Sequence, residues 1–193
     1  MIVVDILTAE EAHRMAQIAL RHCFTAEAGR VGTPSLSRLN RPPGAAPVSD
    51  AGEGRQEWVG DCSVVKALLP ELLEWPLCGR LIAAACRLDV RATPGPWHRS
   101  HATLKVYGPG DGQGLHVDTN PITVLLLLMG EGGPETGHGV HPLAPGQALV
   151  FRGGDIPHRV RPASAWRVTV PLNFYTPDDM HRPDYADALV YGD

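Results

Sequence analysis

From Asp89 onward the sequence alternates between short strand-like segments and glycine-rich turns, and this pattern limits the chain to a narrow set of folds. Thr103 to Tyr107, Ile122 to Met129, Gln147 to Phe151 and Trp166 to Tyr175 read as strands. Turns such as GPGDGQG and MGEGGPETGHG separate them. The 21 glycines and 18 prolines make 39 of 193 residues, above ordinary usage, which favours many short strands. Closing such strands into a double-stranded β-helix, a jelly-roll or cupin-like barrel, removes their exposed edges. The expected class is therefore mostly β with supporting α-helices.

The first half has a different character. Ile2 to Ile6 is β-prone, and Thr8 and Glu11 have the spacing of a capping box, which satisfies free N–H groups at a helix start. Ala12, Met15, Ala16, Ala19 and Cys23 recur at helical spacing, which predicts a helix of about 15 residues. Ser63 to Leu73 reads as a helix broken at Pro70, because proline removes a hydrogen bond and clashes with the preceding turn. Leu77 to Leu88 reads as another, with Cys78, Leu81, Ile82 and Ala85 as its buried stripe. Residues 29–57 show no periodicity and read as a long loop, either a substrate lid or a disordered insert. No internal repeat or second domain is visible. The expected plan is a single domain over 1–193, with a mainly helical support layer (1–100), a barrel core (101–177) and a C-terminal tail (178–193).

Composition excludes several classes. A net charge of -4 and a pI near 6.1 give no electrostatic case for binding nucleic acid or an anionic membrane. The longest apolar run, Ile122 to Met129, is far short of the roughly 20 residues a membrane span needs. Cys23, Cys62, Cys78 and Cys86 follow no C-x-x-C pattern and read as free thiols of a reducing cytoplasm. The start, MIVVDILTAEE, lacks the basic region of a secretory signal. Oligomeric state is not legible.

Chemistry concentrates around His116, Val117 and Asp118, with His158 forty residues after Asp118 and Arg167 nine further on. An H-x-D tripeptide is weak alone. Here it follows the glycine-rich turn Gly108 to Gly114, and on extended backbone residues two apart share a face. His158 follows a predicted strand and a Gly153-Gly154-Asp155 turn, so adjacent strands of a barrel could unite all three. Two imidazoles and a carboxylate hold one face of octahedral iron(II), leaving the other open for co-substrate and oxygen. Zinc is a rival use of these ligands, but Arg167 has no role in a structural zinc site.

Arg167 and Thr169 share one face of an otherwise apolar strand, with Trp166, Val168 and Val170 on the other. A guanidinium beside a hydroxyl is a carboxylate clamp. Tyr107 could offer a phenol to the same pocket, or be a core tyrosine. Lys105 shares its face and is a lesser candidate for substrate or co-substrate contact. Arg159 and Arg161 should face outward if His158 faces inward. His138 and His141 read as solvated loop histidines, and His98 and His101 as ordinary loop residues, with a place at the site mouth as the alternative.

Two stretches carry a family resemblance. KVYGPGDGQGLHVDTNPITVLLLL and GQALVFRGGDIPHRVRPASAWRVTVPLNFY, about 70 residues in all, resemble the iron(II)- and 2-oxoglutarate-dependent dioxygenases, most closely the prolyl-hydroxylase-like branch. The resemblance implies a jelly-roll core. It implies His116, Asp118 and His158 as ligands of Fe(II), and Arg167 on the far carboxylate of 2-oxoglutarate, helped by Thr169 and Tyr107. It implies O2-dependent oxidation of a C–H bond coupled to decarboxylation of 2-oxoglutarate to succinate. A carboxylate at Asp118 points to hydroxylation or a related oxidation rather than halogenation. The compact size suggests an amino acid, short peptide or natural-product intermediate as substrate. Two other readings stay open: a cupin-type metalloenzyme that does not use 2-oxoglutarate, and a non-catalytic barrel.

Overall fold

The structure, a computed structural model, describes residues 1–25, 30–32, 56–94 and 101–178. The first strand, β1 (Ile2–Asp5), leads into helix α1 (Ala9–Thr25). The capping box forms as read: Glu11 accepts from the Thr8 N–H at 2.8 Å, and the Thr8 hydroxyl accepts from the Glu11 N–H at 3.2 Å. Strands β2 (Arg30–Gly32) and β3 (Gln56–Gly60) follow. Helix α2 (Cys62–Leu68) starts at Asp61, whose carboxylate accepts from the Ser63 and Val64 N–H groups. It stops before Pro70, where a single 3₁₀ turn (Pro70–Leu72) replaces it. Helix α3 (Leu77–Ala85) ends three residues before the expected Leu88. Its buried residues are Leu77, Leu81, Ala84 and Ala85, whereas Cys78 and Ile82 are only half-buried.

Strands β4 (Thr93–Pro94), β5 (Leu104–Tyr107), β6 (Gln113–His116), β7 (Ile122–Met129), β8 (Glu135–Thr136), β9 (Gly139–Val140), β10 (Gln147–Phe151), β11 (His158–Val160) and β12 (Arg167–Tyr175) complete the described elements. They form two antiparallel sheets. The larger runs β1-β10-β7-β12-β5-β3-β2, with β4 also on β12, and the smaller runs β6-β11-β8-β9. Together they make a mostly antiparallel jelly roll, with three α-helices among the described residues.

The unbroken apolar run of β7 has a direct cause: the strand is buried on both faces. Val124, Leu126 and Leu128 join Val168, Val170, Ala148 and Val150 in a core with Ala12, Met15 and Ala16 of α1 and Leu81 of α3. Leu125 and Leu127 face the other way and cluster with Leu143, Leu149 and Phe151. This second face looks onto the smaller sheet. Lys105 of β5 donates from Nζ to Gln113 Oε1 of β6 at 3.0 Å, and the Phe151 ring meets His158 edge-on at 4.9 Å.

The described part of the first hundred residues holds the three α-helices, and it contributes strands as well. It supplies β1, β2, β3 and β4 to the larger sheet, and β2 and the start of β3 fall inside the segment read as a loop. Positions 29 and 33–55 of that segment, and the tail beyond 178, lie outside the described residues. None of the four cysteines forms a disulfide. Among the described residues no helix is long and apolar enough to cross a membrane.

Candidate metal centre and anion pocket

Strand β6 ends at His116 and β11 begins at His158, and these two residues are direct cross-strand partners. Their rings lie 4.3 Å apart, centroid to centroid. Asp118 sits beyond the end of β6 rather than on it, so strand alternation does not aim it. A backbone bond does, from the Asp118 N–H to the Gly153 carbonyl at 2.9 Å. Asp118 Oδ1 then lies 3.6 Å from His116 Nε2 and 3.5 Å from His158 Nε2. One ligand atom from each residue falls within 4.8 Å of the others, the metal-competent group among the described residues.

Each candidate ligand is oriented from behind. His116 Nδ1 lies 2.8 Å from the Gly114 carbonyl, and His158 Nδ1 lies 2.8 Å from the Ile156 carbonyl. A carbonyl only accepts, so both rings carry their proton on Nδ1 and turn Nε2 into the site. Asp118 Oδ2 accepts from the Thr123 hydroxyl, which in turn accepts from Asn120 Nδ2 at 3.0 Å, leaving Oδ1 for a metal. Gly153 leaves room for this arrangement, since a Cβ there would overlap the Asp118 carboxylate and the Thr123 hydroxyl.

Electrostatics agree with the donor set. Burial opposes ionisation of Asp118, but the charge and hydrogen bonds of His158 and His116 outweigh it and hold the carboxyl well below its usual range. Burial also works against protonated His158, but the Asp118 carboxylate overcomes this and raises its pKa. Burial and the neighbouring His158 push His116 down.

The anion-binding candidates gather on the interior face of the larger sheet. In the β12–β5 register Arg167 is opposite Tyr107, and Thr169 is opposite Lys105. Arg167, Thr169 and Tyr107 are all at most 5% exposed, a depth at which a guanidinium requires partners. Arg167 Nη2 donates to the Gly132 carbonyl at 2.6 Å, and its Cζ lies 5.9 Å from the Tyr107 ring centre. Thr169 Oγ1 is buried and makes no hydrogen bond.

Other candidates fall outside the site. Arg159 and Arg161 face outward and pair with Glu135. His138 is exposed, and His141 bonds Thr136 through Nε2 at 3.0 Å. His101 lies in a bend ahead of β5, as a loop residue, and is buried, with Nδ1 3.1 Å from the Asn173 carbonyl and its ring against Phe174. His98 lies outside the described residues. Sequence reasoning missed Gln113, Asn120, Thr123 and Gly153. Gln113 was assigned to the turn but belongs to β6. Thr123 was legible as the lone polar residue in the apolar β7 run.

No family model and no curated protein sequence matches the chain. Solved structures do. The chain has the prolyl-hydroxylase fold. A prolyl-4-hydroxylase from Pseudomonas putida matches with a TM-score of 0.51 at 17% identity, over 91% of each chain. AviO1 from Streptomyces viridochromogenes matches at 0.62 and 15% identity, over 93% of this chain and 90% of that one. A Trichoplax adhaerens prolyl hydroxylase, solved with a hypoxia inducible factor peptide fragment, matches at 0.55 and 18%, over 93% and 84%. At these identities what is shared is the fold.

Proposed function

We propose that this chain is an iron(II)- and 2-oxoglutarate-dependent oxygenase that hydroxylates, or otherwise oxidises, a C–H bond of an amino acid, short peptide or natural-product intermediate. The observation that carries the reading is that a His-Asp-His triad is linked, through Gln113 beside His116, to Lys105, the cross-strand partner of Thr169 on the strand that also carries buried Arg167. The donor set fits iron(II), with two neutral nitrogens and one carboxylate oxygen on one side. The unbonded Thr169 Oγ1 beside buried Arg167 fits a carboxylate.

When bound, the metal and 2-oxoglutarate supply the oxidation of a C–H bond with O2, giving succinate and carbon dioxide. The chain does the rest. His116 and His158 would present Nε2, and Asp118 would present Oδ1. Arg167, Thr169 and Tyr107 would hold the far carboxylate and fix the orientation of the co-substrate. Leu125, Leu127, Leu149 and Phe151 line the interior with apolar surface, which keeps water away. Four cysteines without a disulfide fit a reducing cytoplasm.

Anaerobic titration of metal-free protein with iron(II) and then 2-oxoglutarate tests this. The chelated complex should give a weak visible charge-transfer band. Arg167→Ala should need about 10- to 100-fold more 2-oxoglutarate to reach it, the loss of a charged hydrogen-bond partner. Iron binding without a band would favour the cupin-type reading, and folded protein that binds no iron would end both.

A further inference from the structure

Gln113 is buried, and its amide lies between two groups that leave it one orientation. One side meets Lys105 Nζ at 3.0 Å and the other meets His116 Nε2 at 3.2 Å. An ammonium only donates, so the side facing Lys105 is Oε1. The NH2 group must then face His116 Nε2, the lone pair a metal would use. That nitrogen is bare, because the ring proton is committed to the Gly114 carbonyl.

A metal on His116 Nε2 and the Gln113 hydrogen bond to the same atom exclude each other. When metal takes the lone pair, a buried N–H donor is left beside it, still aimed by Lys105. A buried donor is costly to leave unmade, so it requires an acceptor that arrives with the metal. The acceptor available there is an oxygen on an open coordination position.

Resting on the function proposed above, we propose that Gln113, held by Lys105, is a positioning residue that donates a hydrogen bond to the carboxylate or keto oxygen of 2-oxoglutarate on the metal beside His116. It would help decide which open position each co-substrate oxygen takes. Lys105 acts through Gln113 and need not touch the co-substrate.

The test compares wild type, Gln113→Leu, Gln113→Glu and Lys105→Met. Mn(II) affinity is measured by calorimetry without co-substrate, and the iron(II)–2-oxoglutarate band is titrated anaerobically. Gln113→Leu should bind Mn(II) at least as tightly as wild type, because the competing bond at His116 is gone. It should bind 2-oxoglutarate about tenfold more weakly, with a shifted band. Lys105→Met should weaken 2-oxoglutarate in the same direction but less, since the amide is released rather than removed. Gln113→Glu keeps the Lys105 contact and loses the donor, so it should also bind the anion poorly, and it substitutes if the leucine variant does not fold. A merely structural role would weaken Mn(II) and 2-oxoglutarate together, which overturns the inference. So does a wild-type band left unchanged in affinity and position by the Gln113 variants. Wild type that binds Mn(II) and iron(II) but gives no band overturns the 2-oxoglutarate reading, and this role with it.

Discussion

The eight-stranded sheet and the four-stranded sheet meet at the same site but are held in different ways. In the larger, Val124, Leu126, Val168 and Val170 are fully buried against helices, and strands reach eight or nine residues. The smaller has strands of two to four residues. Its integrity rests on glycine turns, backbone carbonyls and the Glu135 ion pairs. The metal candidates His116 and His158 belong to the smaller sheet, while Arg167, Thr169 and Tyr107 belong to the larger. The proposed anchor therefore rests on hydrophobic packing, and the candidate metal ligands rest on polar contacts that act over a few ångströms. Stability and metal affinity should be separable by mutation.

Leu126→Ala is the stronger way to break that separation. Leu126 is fully buried between Ala148 and Val170 on the helix-packed face. Its truncation should cost about 2–5 kcal/mol of stability, read from urea unfolding. Mn(II) affinity of the folded protein should stay within about threefold of wild type, since the site lies on the opposite face. A parallel loss of metal affinity would show that the two sheets are one mechanical unit. Gly153→Ala probes the other side. The new methyl would displace Asp118 or Thr123 and should lower Mn(II) affinity by about 10- to 100-fold, the usual range when a ligand's support is lost. The urea midpoint should move less than in Leu126→Ala. Unchanged metal affinity would remove Gly153 and Thr123 from the account of the site.

The same contrast explains what the sequence made legible. The larger sheet was readable wherever burial writes a pattern: Ile122–Met129 and Gln147–Phe151 match their expected bounds, and the Arg167 strand begins one residue late. The capping box and the break at Pro70 were readable because their physics is local. Strands β8, β9 and β11 were not, because two or three residues carry no periodicity and exist only through their partners. The triad was visible from residue types and spacing, but the aim of Asp118 was not, since it depends on a backbone bond to Gly153, 35 positions away. Gln113 was hidden for a similar reason: its partner Lys105 lies on the other sheet.

Glu135 offers the finest probe of how the smaller sheet is held. It sits on β8 opposite Arg159 of β11, and it accepts from Arg161 Nε at 2.8 Å as well as from Arg159. Hydrogen bonds from Arg161, then Arg159, bring its pKa from 4.5 down to about 2. A carboxyl with a depressed folded pKa favours the folded state above its unfolded value and loses that contribution as pH falls. The contribution should be complete above about pH 5 and should fade from there to about pH 2. Comparing urea midpoints of wild type and Glu135→Gln across this range gives the check. Wild type should lead at pH 7 and the two should converge at the acid end. The lead should be small and should shrink in high salt, because both guanidinium groups are about half exposed. A difference that persists at pH 2 would mean that the glutamate acts through shape rather than charge. The smaller sheet would then be packed in the manner of the larger one, and the contrast between them would narrow to strand length.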